Sequence, residues 1–131
     1  LFATASEGDD DGLLQAWDLA SNPQQAKLAV VEARGEGPGV WNETEVTAGL
    51  ARGFFTAGVP TLVTNSALVD RAASEFFFEQ FYGLLKSGTT VCEAIQKATL
   101  ATRQQPAFSH PSAWGMFTTY GLGDVTVFSA E

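Results

Sequence analysis

The sequence predicts an α/β fold: a mostly parallel sheet with helices on both faces and an antiparallel edge. Three observations predict it. "KLAVVEA", residues 27–33, is a continuous apolar run of strand length, as expected of a parallel strand buried on both faces. Strand-like runs alternate with segments of helical periodicity along the chain, which indicates βαβ connections. The 131 residues are 45% hydrophobic, enough for a real core, and residues 1–131 read as a single domain.

The elements follow in order. "LFATA" (Leu1–Ala5) reads as the end of a strand, followed by the acidic loop "SEGDDDG". "LLQAWDLA" (Leu13–Ala20) reads as a short helix with Leu13, Leu14 and Trp17 on one side. After "KLAVVEA" comes a glycine-rich turn. Asn42 with Glu45 then resembles a capping box. Val46, Leu50, Phe54 and Ala57 recur at helical spacing. Gly58 suits the left-handed residue past a helix end, and Pro60 prevents continuation. "TLVTN" (Thr61–Asn65) is the next strand. Ala72 to Lys86 forms a helix with Phe77, Phe81 and Leu84 on its inner stripe and Glu75, Glu79 and Lys86 on the solvated side. Gly88 ends it. Thr90 with Glu93 begins another, with Val91, Ile95 and Ala98 inward. Pro106 and Pro111 mark a loop, and "WGMFTTYG" and "DVTVF" read as two closing strands. The run Phe76–Phe78 places one ring off the main stripe, free to meet another part of the parent protein or a second chain.

Composition narrows the function. A net charge of −8 repels phosphate backbones and disfavours nucleic acid. The chain shows no basic amphipathic helix, no apolar run near the roughly 20 residues of a membrane span and no signal-peptide pattern, so a membrane role is disfavoured. One cysteine fits a reducing, cytoplasmic compartment. The chain opens directly on an apolar strand residue, which reads as a fragment of a longer protein. A strand edge left open by such a start admits pairing with the rest of the parent chain or with another copy, a homo-oligomer.

In open α/β sheets ligands bind beyond the carboxyl ends of the strands. Three such ends stand out: Ala5–Ser6, the turn Ala33–Gly37, and "NSALVD" (Asn65–Asp70). The candidate binding residues are Arg34, Glu36 and Asp70. "GDDDG" crowds three carboxylates but lacks the ligand alternation of an EF-hand loop, and "RGEGPG" is followed by no Walker lysine. No metal and no cofactor is expected. A trio of Ser6, Asp10 and His110 has no nucleophile-elbow pattern around Ser6. Cys92 falls in the first turn of a helix, where a thiol pKa can drop. Beside Val91, and as one of the most often buried residue types, it is expected to be a packing residue. His110 is expected to be a hydrogen-bonded loop residue.

"GLARGFFTAGVPTLVTNSALVD", "FFFEQFYGLLKSGTTVCEAIQKATLATRQ" and "HPSAWGMFTTYGLGD" together resemble the CHAT peptidase domain, a relative of caspases and separases. The resemblance covers about Leu1 to Asp124. It implies a caspase-like fold, a longer CHAT domain of which this is the C-terminal portion, and cysteine endopeptidase chemistry. The family's catalytic histidine ends a strand in a pattern like A-T-H-G, and the match here is "FATASEG", with Ala5 in the histidine place. The family's catalytic cysteine sits in S-A-C-E-T-G, and the match here is "EARGEG", with Arg34 in the cysteine place. Alanine cannot transfer a proton, and arginine stays protonated and offers no nucleophile. The expectation is a catalytically inactive pseudopeptidase that binds a protein partner or its own parent chain, in a bacterial setting where such domains are attached to repeat regions. The alternatives are an active endopeptidase with its dyad elsewhere, and an anion or small-ligand sensor with Arg34 in the old cleft.

Overall fold

The computed structural model describes residues 15–32 and 43–129, and the side chains of 43–47 are outside that description. The leading strand Leu1–Ala5, the acidic loop and the glycine-rich turn therefore lie outside the described residues.

The described residues form the helices and strands α1 (Ala16–Ala20), β1 (Ala29–Val31), α2 (Glu43–Thr56), β2 (Thr61–Asn65), α3 (Arg71–Lys86), α4 (Val91–Gln104) and β3 (Phe117–Gly121). The described sheet has the order β1-β2-β3. β1 runs parallel to β2 with Val30 beside Val63, and β3 runs antiparallel to β2 with Val63 beside Thr119. The antiparallel neighbour is thus present, and the described sheet holds one pairing of each kind.

β2 occupies the centre because every residue from Thr61 to Asn65 is buried. Val63 joins Phe77, Phe81 and Leu85 of α3 and Val91, Ala94 and Ala98 of α4 in one core, with Phe117 of β3. Leu62, on the opposite pleat face, is equally buried, and α2 packs against β2. Helices therefore cover both faces of β2. β1 is shorter than the apolar run suggests, and its residues are only half-buried, because among the described residues it has a neighbour on one side only.

Local chemistry sets the element ends. α2 stops at Gly58, whose φ of +96° is the left-handed conformation glycine adopts without strain. Pro60 has no N–H, so β2 begins with a half-made pair: the Leu122 N–H donates to the Pro60 carbonyl at 3.0 Å, and the Thr61 hydroxyl donates to the Leu122 carbonyl at 2.6 Å. α3 begins at Asp70, whose Oδ1 accepts from the backbone N–H groups of Ala72 (3.0 Å) and Ala73 (3.2 Å), the standard side-chain cap. α4 begins without a side-chain cap. Its first N–H groups donate instead to the trailing chain, Val91 to the Val125 carbonyl (3.0 Å) and Cys92 to the Gly123 carbonyl (2.9 Å).

Four expectations are corrected. Leu85, 1% exposed, and not the half-buried Leu84 completes the inner stripe of α3; i+4 and i+3 positions share a helix face, and the packing of α4 selects the former. On α4 the buried stripe is Val91, Ala94, Ala98 and Thr102, with Ile95 at its margin. "DVTVF" is not a strand. Thr126 makes one isolated bridge to Thr90, and the segment's neighbouring carbonyls serve the start of α4. Phe76, the ring off the main stripe, packs against Phe108 at 5.9 Å between centroids, so its partner lies within the chain.

Candidate functional site

Because β1 and β2 are parallel and in register from Ala29–Leu62 to Val31–Thr64, their carboxyl ends leave the same edge of the sheet. Glu32 follows one and Asn65 ends the other. The expected dyad positions Ala5 and Arg34, and the candidate binder Glu36, lie outside the described residues. What is described is the end of each strand, Glu32 after β1 and Asn65 in β2.

Ser74, fully buried, donates its hydroxyl to Oε1 of Glu32. This ties the end of β1 to the second turn of α3. Tyr82, two turns further along α3, keeps 43% of its surface exposed. Burial chiefly, and the Glu32 carboxylate next, push its phenol pKa up. Asn65 is 4% exposed, and its amide donates to the Ala67 carbonyl at 2.9 Å. The Ser66 hydroxyl and N–H both reach the Met116 carbonyl, at 3.2 and 2.8 Å, locking the turn after β2 to the start of β3. Asp70 is exposed, and the one oxygen described in contact caps α3.

A serine hydroxyl donating to a carboxylate has the form of an activated nucleophile. The geometry here argues otherwise: Ser74 has no exposed surface, so no substrate carbonyl reaches it. Glu32 and Ser74 make a structural strut.

The remaining histidine and cysteine stand apart. Cys92 is exposed, not buried as its residue type suggested. It is the second residue of α4, one step round from the buried Val91, and its sulfur lies against Gly123. His110 sits past the other end of α4. Its Nδ1 accepts from the Ser112 N–H at 3.2 Å and lies 2.8 Å from the Ser112 hydroxyl, which fits the expected loop role. Arg103, in the last turn of α4, stacks on Trp114 at 5.3 Å, so the His110 loop belongs to that end. From Cys92 to the last turn of α4 the helix rises about 17 Å. A hydrogen-bonded Cys–His pair needs ~3 Å.

Sequence reasoning missed a shallow groove of about 520 Å³ between α1 and α2, lined by Trp17, Ala20, Gly49, Arg52 and Thr56 among others. The helices approach closely because Gly53 has no side chain: a Cβ there would stand 2.7 Å from the Ala16 carbonyl oxygen. The sequence signal was the pair of glycines spaced four apart on α2. Among the described residues no three of His, Cys, Asp and Glu converge as metal ligands. No described helix is long and apolar enough to cross a membrane.

Comparison with known proteins adds three findings. Residues 1–122 match the family model described as CHAT domain. Tetratricopeptide repeat protein 28 of Mus musculus is 33% identical over 109 residues, which is 83% of this chain and 4% of that relative. No solved structure matches the chain.

Proposed function

Because the chain belongs to the CHAT domain family, we propose that it is a catalytically inactive, pseudopeptidase member that serves protein–protein interaction or scaffolding within a larger protein. One observation carries the reading. The family match spans residues 1–122, and the two places in that span that the sequence resemblance assigns to the family's histidine and cysteine hold Ala5 and Arg34. Neither side chain supplies a base or a nucleophile for amide attack. The relative's name, a tetratricopeptide repeat protein, supports an interaction context. The Glu32–Ser74 strut, which ties the end of β1 to α3, is consistent with a retained scaffold.

A second reading, an active endopeptidase with a relocated nucleophile, is favoured by one fact, the exposure of Cys92. The helix length between Cys92 and the His110 loop weighs against it. One experiment separates the two. The full protein is incubated with peptide libraries and with a thiol-directed peptide electrophile, and any adduct is mapped. The pseudopeptidase reading expects no turnover and no activity-linked adduct. Turnover abolished by Cys92→Ala or Arg34→Ala overturns it.

A further inference from the structure

The groove between α1 and α2 carries the chemistry of a small-molecule site, and we propose that it binds a free aromatic carboxylate, with the ring on Trp17 and the carboxylate on Arg52. Its volume of about 520 Å³ falls within the roughly 300–1,000 Å³ usual for small-ligand sites. Small residues of both helices, Ala20, Gly49 and Gly53, line it, and Arg52 and Thr56 bring polar groups to it. Such a lining admits a flat ring and leaves a few polar groups to orient it.

The groove stands apart from the strand ends that hold Glu32 and Asn65. Gly49 to Thr56 form the second half of α2. A helix that leaves the carboxyl end of β1 and returns to the start of β2 carries that half toward the opposite edge of the sheet.

Two side chains at the groove have their binding capacity in hand. Trp17 is 66% exposed, the most exposed large apolar side chain described. Arg52 is exposed, and among the described residues it forms no ion pair. The cation–π contact described belongs to Arg103 and Trp114, at the far end of α4.

Chemistry selects the ligand. One guanidinium presents a planar fork of donors that matches one carboxylate. A phosphate dianion calls for more than one cation, and Arg52 is the one cationic side chain lining the groove. The net charge of −8 also repels multivalent anions. The exposed indole face favours an aromatic body, which stacks where an aliphatic chain would not. Length argues against a docked helix. α1 has five residues and rises about 7 Å, whereas helix docking through i, i+4 and i+7 anchors spans about 10 Å.

This site does not rest on the loss of the dyad. A chain that binds the acid and also cleaves peptides refutes the proposed function and leaves the groove's assignment standing.

The test is calorimetric titration and amide NMR of the full chain with 2-naphthoate and with its neutral counterpart 2-naphthamide. The expected dissociation constant for naphthoate is on the order of 0.1–1 mM, with naphthamide at least about tenfold weaker. The shifted signals should be the Gly49 and Gly53 amides and the Trp17 indole N–H. Arg52→Gln should erase the preference for acid over amide, and Trp17→Ala should weaken both ligands at least about fivefold, each with an unchanged circular dichroism spectrum. The acid-against-amide comparison on the unaltered chain holds even if a variant misfolds. No binding up to about 10 mM overturns the proposal. So does binding that Arg52→Gln leaves unchanged and Arg34→Gln removes, which moves the site to the glycine-rich turn. An acidic helical peptide that displaces naphthoate and binds more tightly gives the groove to a protein partner and overturns the choice of ligand.

Discussion

Phe77 is the side chain on which the fold depends most heavily, and Phe77→Ala is the perturbation that shows it. Its ring has no exposed surface. It stacks on Phe117 of β3 at 3.9 Å between centroids and 9° between planes, with Phe81 at 6.0 Å and Phe78 edge-on at 5.3 Å. Truncating a buried phenylalanine costs about 3–5 kcal/mol in transfer and cavity terms, and the ring pairing adds about 1 kcal/mol. The expected loss is about 4–6 kcal/mol, roughly a quarter or more of the 5–15 kcal/mol typical of a domain. At about 3–5 °C per kcal/mol for a chain of this size, Tm falls by ~15–25 °C. The internal control is Phe76→Ala. That ring is half-buried and touches Phe108 alone among the aromatic contacts described, so it should cost about 1–2 kcal/mol. Urea unfolding of both variants, read at constant m, gives the comparison. If Phe77→Ala proves too unstable to measure, Phe77→Leu keeps the burial, loses the stacking and should fall between the two. Equal losses for Phe76→Ala and Phe77→Ala, or less than about 2 kcal/mol for the latter, would refute the packing argument.

Three further outcomes are expected. Asp70→Ala removes the cap of α3 and should lower stability by about 1 kcal/mol, while Asp70→Ser should recover most of it, as seen in thermal melts. Gly53→Ala forces a Cβ into the Ala16 carbonyl; α1 should lift from α2 and shift the fluorescence of Trp17, although alanine is the better helix former by about 1 kcal/mol. The Tyr82 phenol has a folded pKa above its unfolded value. Its contribution is complete below pH ~10 and is lost as pH rises past that, because the unfolded phenol gives up its proton first. Glu32→Gln should reduce that loss without abolishing it, since burial is the larger cause, and phenolate absorbance during titration reports it.

Much of the fold was readable because its signals are local. Thr61–Asn65 is the strand the residues suggest, and Gly58 and Gly88 end their helices with the positive φ expected of them. Asp70 was legible as a cap and was instead read as a ligand residue, because a carboxylate at a strand end invites both interpretations. The failures lie where distant contacts outvote local pattern. The alternation in "DVTVF" is that of a strand, but the segment bonds the start of α4. Leu84 and Leu85 satisfy helical spacing equally, and only the neighbouring helix distinguishes them. The Ser74–Glu32 strut joins residues 42 apart in sequence, a pairing no periodicity announces. Ala5, Arg34 and Glu36 lie outside the described residues, so the dyad reading stays with the sequence and the family.

The borrowed cap of α4 has a consequence in time. A helix with its own side-chain cap can be finished as soon as its residues exist. The first turn of α4 waits for the carbonyls of Gly123 and Val125, more than thirty residues downstream. During synthesis the α3–α4 hairpin can therefore form early with a frayed hinge at Thr90, and it tightens only when the last stretch of chain arrives. Lys27, whose ammonium reaches the Thr126 carbonyl across 99 positions, is fastened in the same event. The C-terminal stretch thus acts as a latch, and premature termination before Gly123 would leave α4 assembled yet unsecured.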